Sequence, residues 1–136
     1  MQEYGAPSTD LTDALSSRGA NVTSIALYRW ALPEDVGPLR RAVGAICDGS
    51  IDVLLVTSGV QLTHLWRSAR ELDHVEELRH RLATHVLLAS IGPAATEAMV
   101  HHRLRPDLEA SPPKMGILVT EAASRSAELL ATKRGR

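Results

Sequence analysis

A chain of 136 residues, 44% hydrophobic and 23% charged, is long enough to bury one core and has the composition of an ordinary soluble domain. A net charge of −1 leaves no general basic field to hold nucleic acid or an anionic membrane. The single cysteine, Cys47, excludes an intramolecular disulfide and a multi-cysteine metal site, and no apolar run reaches the roughly 20 residues that span a bilayer.

The start, Met1-Gln2-Glu3-Tyr4-Gly5, has neither the basic end nor the apolar centre of a secretion signal, so a cytoplasmic location is expected. Gln2 to Tyr4 is short for a strand. After a turn over Gly5 to Ser8, a cap at Ser8, Thr9 or Asp10 opens a helix from about Leu11 to Arg18, and Gly19 stops it. Val22 to Tyr28 reads as a strand near a sheet edge. Pro33 breaks the chain, Glu34 and Asp35 place negative charge at a helix start, and Val36, Leu39, Val43 and Ile46 keep helical spacing to Cys47. Cys47 falls on that buried face as a small core residue.

Val53 to Val56 is short, apolar and half β-branched, the pattern of a strand buried on both faces and central to a sheet. Ser58 is a candidate N-cap for a helix over Val60 to Leu72, in which Leu62, Leu65, Trp66 and Ala69 share a face. A helix over His74 to Ala83 follows, then a buried strand over His85 to Ser90. Gly92-Pro93 opens a helix to His102, Pro106 to Ala110 is extended, and Pro112-Pro113 precedes a last helix over Met115 to Leu130. Residues 132–136, with Lys133, Arg134 and Arg136, are expected as a solvated, disordered basic tail after a single domain over residues 1–131.

Repeated strand–helix alternation predicts an α/β fold, a flavodoxin-like parallel sheet with helices on both faces and a truncated first strand. Ligands bind such sheets beyond the carboxyl ends of the strands. Three turns meet there: Gly5 to Ser8, Thr57-Ser58-Gly59 and Gly92 to Thr96.

The strong catalytic signatures are missing. There is no phosphate loop, no Gly-x-Gly-x-x-Gly turn and no nucleophile elbow. A receiver domain would need Asp where Thr57-Ser58 stands, and a flavin would need more rings than Trp30, Trp66, Tyr4 and Tyr28. His101 and His102 are adjacent, so they point different ways, and His64, His74, His80 and His85 lack metal-ligand spacing. What remains is hydroxyls and helix starts. Ser58 and Thr96 can donate, and the amides after Ser58 and Pro93 can cradle carboxylates. Tyr28 closes a strand at the same edge as a donor or weak acid.

Taken in order, these residues resemble a known family. Gly19-Ala20-Asn21-Val22 through Ala26-Leu27-Tyr28-Arg29, Ile51-Asp52-Val53 with Thr57-Ser58, Ser90-Ile91-Gly92-Pro93 with Thr96, then Pro106 and Ser111-Pro112, are similar to the second half of uroporphyrinogen-III synthase. Gln2-Glu3-Tyr4-Gly5 and Pro113-Lys114-Met115-Gly116 resemble a bacterial branch sometimes fused to a DNA-binding regulatory domain. The resemblance implies one of two flavodoxin-like lobes flanking a cleft. It implies a lyase of porphyrin biosynthesis that closes hydroxymethylbilane, inverts the last pyrrole ring and loses water, with no metal or organic cofactor. It carries Tyr28 over as the catalytic residue that helps the hydroxyl leave. Ser58, Gly59, Gly92, Pro93, Ala94 and Thr96 carry over as substrate-binding residues. Thr96 departs from the family pattern in standing third after Pro93. The expected partners are hydroxymethylbilane and either a first lobe or a second copy of this chain, with no nucleic acid and no membrane. The alternative is a tetrapyrrole-binding or regulatory module of the same fold without the chemistry.

Overall fold

The computed structural model describes residues 2–5, 9–29 and 31–135, the first stretch by its backbone only. Residues 6–8 of the first expected turn, and Trp30, lie outside the described residues. The chain divides into two compact units, Met1–Glu34 and Asp35–Arg136.

In the first unit, β1 (Gln2–Gly5) and β2 (Ile25–Arg29) pair in parallel, with α1 (Thr9–Ser16) between them in sequence. Gln2 lies opposite Ile25 and Gly5 opposite Arg29, with a shift of register between Glu3 and Gly5. The start of the chain is thus a strand despite its length. Its backbone groups are matched by β2, which local sequence cannot report. The strand expected over Val22 to Tyr28 begins only at Ile25, where that pairing begins.

The second unit holds α2 (Gly37–Cys47), β3 (Val53–Val56), α3 (Gly59–Glu71), α4 (Val75–Thr84), β4 (Leu87–Ser90), α5 (Pro93–His101), β5 (Leu108–Glu109) and α6 (Met115–Arg134). Its three strands are parallel in the order β3-β4-β5. Within this three-stranded sheet β4 is the middle strand. All four residues of β4 are buried, whereas β3 is buried only at Val56.

Alternation along β4 divides the core in two. Val86 and Leu88 join Val43 and Ile46 of α2, Leu62, Leu65 and Trp66 of α3, Leu78 and Leu82 of α4, and Met99 of α5. Leu87 and Ala89 point the other way, onto Leu108 and onto Leu118 and Ala122 of α6. Helices therefore cover both faces of a parallel sheet, and the α/β class is as expected. Each fully buried Leu or Ile contributes roughly 1.5–3 kcal/mol. Cys47 packs half-buried against the first cluster, and burial raises its thiol pKa.

Local chemistry sets the element ends. The Asp35 carboxylate accepts the Gly37 amide at 2.8 Å and anchors the start of α2. Asp48 Oδ1 accepts the Ser50 amide (2.9 Å) and hydroxyl (2.5 Å), and these bonds hold its carboxyl below the ordinary range. Between them Gly49 adopts φ +84°, a left-handed conformation that suits glycine.

The expected basic tail is helical at Lys133 and Arg134, and Lys133 is withdrawn from solvent. Both belong to α6, and the Lys133 side chain is only 9% exposed. Its Nζ donates to Asp107 Oδ2 (2.6 Å), Val86 O (2.7 Å) and Leu82 O (3.0 Å). Arg134 bonds His85 O (3.0 Å) and pairs with Asp52. Carbonyls left over at the end of α4 supply two of these acceptors, so the helix runs on until its cations reach them.

At the far end of α5, the His102 ring packs 5.9 Å from Trp66 and edge-on to His101 at 5.6 Å, while Arg79 lies 4.9 Å over the indole. Burial chiefly, then the charges of His101, Arg70 and Arg79, lowers the His102 pKa below 6.5. The folded state therefore prefers the neutral ring. As pH falls below about 6.5 the unfolded chain takes the proton first, and stability falls until the folded pKa is passed. Between pH about 7.5 and about 5.5 the wild-type urea midpoint should drop further than that of His102→Gln; equal drops would remove the ring as the cause.

Candidate functional site

Strand register builds the site. Val56, Ser90 and Glu109 stand level across the sheet, so the segments following them leave from one edge. A cavity of about 380 Å³ opens there, lined by Thr57, Ser58, Gly59, Ile91, Gly92, Pro93, Ala94, Ala95 and Pro113. Five of the seven residues singled out from the sequence line it: Ser58, Gly59, Gly92, Pro93 and Ala94. Thr96 stands one turn into α5 and is not among the lining residues. Tyr28 lies in β2 of the first unit with 42% of its surface exposed.

At the first wall Ser58 is the N-cap of α3, in extended conformation. Gln61, at the third helical position, reaches back, and its Oε1 accepts the amides of Thr57 (3.0 Å) and Ser58 (3.2 Å). The Gln61 amide is used by Ser58 O at 3.2 Å. Among the described residues the Gly59 and Val60 amides have no partner, as expected for a first helical turn.

At the second wall Gly92 caps α5. Its carbonyl accepts the amides of Ala95 (3.1 Å) and Thr96 (3.0 Å), and its own amide donates to Ser90 Oγ (3.2 Å). Pro93 has no N–H, which leaves the Ala94 amide as the donor without a partner among the described residues. The pocket therefore presents two backbone donors without a partner among the described residues, at Gly59 and Ala94, each at a positive helix end.

Both glycines are set by close approach rather than by backbone angle. A Cβ on Gly59 would lie 2.7 Å from the Ala98 Cβ, and one on Gly92 would lie 2.8 Å from the Pro113 Cβ. These contacts bring α3 against α5, and the chain before α6 against the Gly92 turn.

Three residues with no role assigned from the sequence hold the site. Ser90, fully buried, donates to Gly92 O at 2.9 Å, accepts from the Gly92 amide, and lies 2.9 Å from Thr96 Oγ1. Glu109 pairs with the same Thr96 hydroxyl. Gln61 was within reach of sequence reasoning, because Ser58-x-x-Gln61 has capping-box spacing. Ser90 and Glu109 acquire their roles only from the register that sets them side by side.

Comparison with known proteins bears on the family and the fold. The family model described as uroporphyrinogen-III synthase HemD matches residues 4–120. A protein of Methanothermobacter thermautotrophicus, named as a candidate uroporphyrinogen-III synthase, is 31% identical over 94 residues, which is 68% of this chain and 35% of that protein. A mutant uroporphyrinogen III synthase of Thermus thermophilus superposes with a TM-score of 0.72 at 25% identity, over 93% of this chain and 48% of that one. The wild-type enzyme in another crystal form gives 0.67 at 26% identity, over 93% of this chain and 47% of that one. The chain thus spans about half the length of these solved relatives and about a third of the curated one. By the extent of the family match, this chain belongs to the uroporphyrinogen-III synthase family.

Proposed function

We propose that residues 1–131 supply one lobe of a uroporphyrinogen-III synthase. The reaction is the closure of hydroxymethylbilane to uroporphyrinogen III, with inversion of the last ring and loss of water. The observation that carries this reading is the pocket whose donors are backbone amides at two adjoining helix starts. A substrate bearing several carboxylates is held well by such donors, because they are fixed in place and cost little to organise. In this reading Ser58, Gly59, Gly92, Pro93, Ala94 and Thr96 bind carboxylates. In the same reading Tyr28 serves the departing hydroxyl, where a phenol donates a hydrogen bond or a proton as the C–O bond breaks. A first lobe or a second copy of the chain forms the other wall of the cleft.

The test is an assay with enzymatically generated hydroxymethylbilane, run with and without the first lobe of a full-length relative. Uroporphyrinogen III is expected, at a rate lowered about 100-fold in Tyr28→Phe. Product consisting only of the uninverted isomer I under both conditions would overturn the reading.

A second reading, a tetrapyrrole-binding module without turnover, is favoured by one contact. The Thr96 hydroxyl is already engaged by Glu109 and Ser90, so it is not turned to a ligand. Saturable binding of a carboxylated porphyrin with no turnover in the same assay would select this reading.

A further inference from the structure

A cavity lined by four cations lies at the opposite edge of the sheet from the helix-start pocket. Its volume is about 510 Å³, and it opens beside the amino ends of β4 and β5. Its charged lining comes from three separate segments: Arg103 and Arg105 from the α5–β5 loop, Lys133 and Arg134 from the end of α6, and His80 and His85 around the end of α4. Asp107 is the only carboxylate among the lining residues. With the histidines neutral, four cations face one anion, in a chain whose net charge is −1.

Part of this charge has a structural use. Lys133 is neutralised by Asp107 and Arg134 by Asp52, and both also satisfy carbonyls at the end of α4 or just beyond it. Those bonds cover the negative helix end that would otherwise repel an anion. Arg103 and Arg105 have no such use. Both are exposed, and neither guanidinium has a hydrogen-bond or ion-pair partner among the described residues. Arg103 also adopts φ +60°, uncommon for a side chain of its size. The His80 and His85 rings lie 5.7 Å apart on the same rim and can add donors.

We propose that this cavity binds a small condensed phosphate, either free or as the phosphate tail of a nucleotide. Two unpaired guanidiniums at one rim suit adjacent phosphate groups, since each offers a planar fork of donors to tetrahedral oxygens. Lys133 and Arg134, balanced by Asp107 and Asp52, form a fixed floor beneath them, so the net attraction comes from Arg103 and Arg105. A single carboxylate uses fewer of these donors. The proposal is independent of tetrapyrrole chemistry, because no residue is shared between the two cavities.

Calorimetric titration of the full chain with tripolyphosphate, ATP and citrate, together with amide chemical-shift mapping, tests it. Tripolyphosphate should bind saturably and more tightly than citrate, weaken as salt rises, and shift the amides of His85, Arg103, Leu104, Arg105 and Asp107. Arg103→Ala/Arg105→Ala should weaken binding about tenfold or more while leaving the urea midpoint unchanged, and Ser58→Ala should leave binding as it is. ATP binding as tightly as tripolyphosphate assigns recognition to the phosphate chain alone, and tighter binding assigns the ligand as a nucleotide. No saturable binding of tripolyphosphate, an affinity unaltered by the double substitution, or shifts confined to Gly59, Val60 and Ala94 would overturn the proposal.

Discussion

Replacing Lys133 by methionine should destabilise the protein by about 3 kcal/mol, read as a lower urea midpoint at unchanged slope. The methylene stem can be replaced by methionine with little change of volume, so the cost comes from the ammonium. Its removal leaves Asp107 without its cation and the carbonyls of Leu82 and Val86 without their donor. Asp107 also accepts the Leu88 amide at 2.8 Å, so an unpaired charge would sit against β4. The Asp107 side chain is 23% exposed, which lets water take up part of the loss and places the figure near the low end for a broken buried pair. A chain ending at Thr132 should show a similar loss. In the double variant Lys133→Met/Asp107→Asn the two effects should fall short of their sum by about 1 kcal/mol or more, since both remove one interaction. Strict additivity, or a midpoint like wild type, would show the contact to be dispensable.

Ser90→Ala is expected to cost about 1–3 kcal/mol, and to weaken binding of a carboxylated porphyrin about tenfold. Ser90 is fully buried and joins three groups: the carbonyl and amide of Gly92, and the Thr96 hydroxyl. Without its oxygen the Gly92 amide is left unpaired beside the turn that presents the Ala94 amide. Thr96→Val removes the same side-chain bond from the other end. The two substitutions should therefore be coupled, with a joint effect smaller than their sum. Urea titration reads the stability and fluorescence titration the binding. Full stability with full binding in Ser90→Ala would show that the turn holds itself. Loss of stability alone would make Ser90 a structural residue with no part in the site.

Local sequence determined the helices and the two helix starts of the candidate pocket. Helix α3 begins one residue after Ser58, and α5 begins at Pro93. The signals there are short-range: a capping residue three positions before Gln61, and a proline whose missing N–H suits a first helical turn. Residues that pack inward from these helices, such as Leu62, Leu65 and Trp66, were legible from a spacing of three and four.

Tertiary structure decided what depends on partners far along the chain. Gln2–Gly5 became a strand through β2, a pairing that spans more than twenty residues. Within the second unit the middle place in the sheet fell to Leu87–Ser90, because sheet order is set by which strands find neighbours on both sides, and an apolar run does not report that. Ser90 and Glu109 entered the site because register placed them level. Lys133 reads as a tail residue by composition alone. Only the fold showed that it ends at a half-buried carboxylate 26 residues away and at two strand- and helix-end carbonyls. Charge at a chain end is solvated by default, and it is drawn inward only where folding has left acceptors that nothing nearer can satisfy.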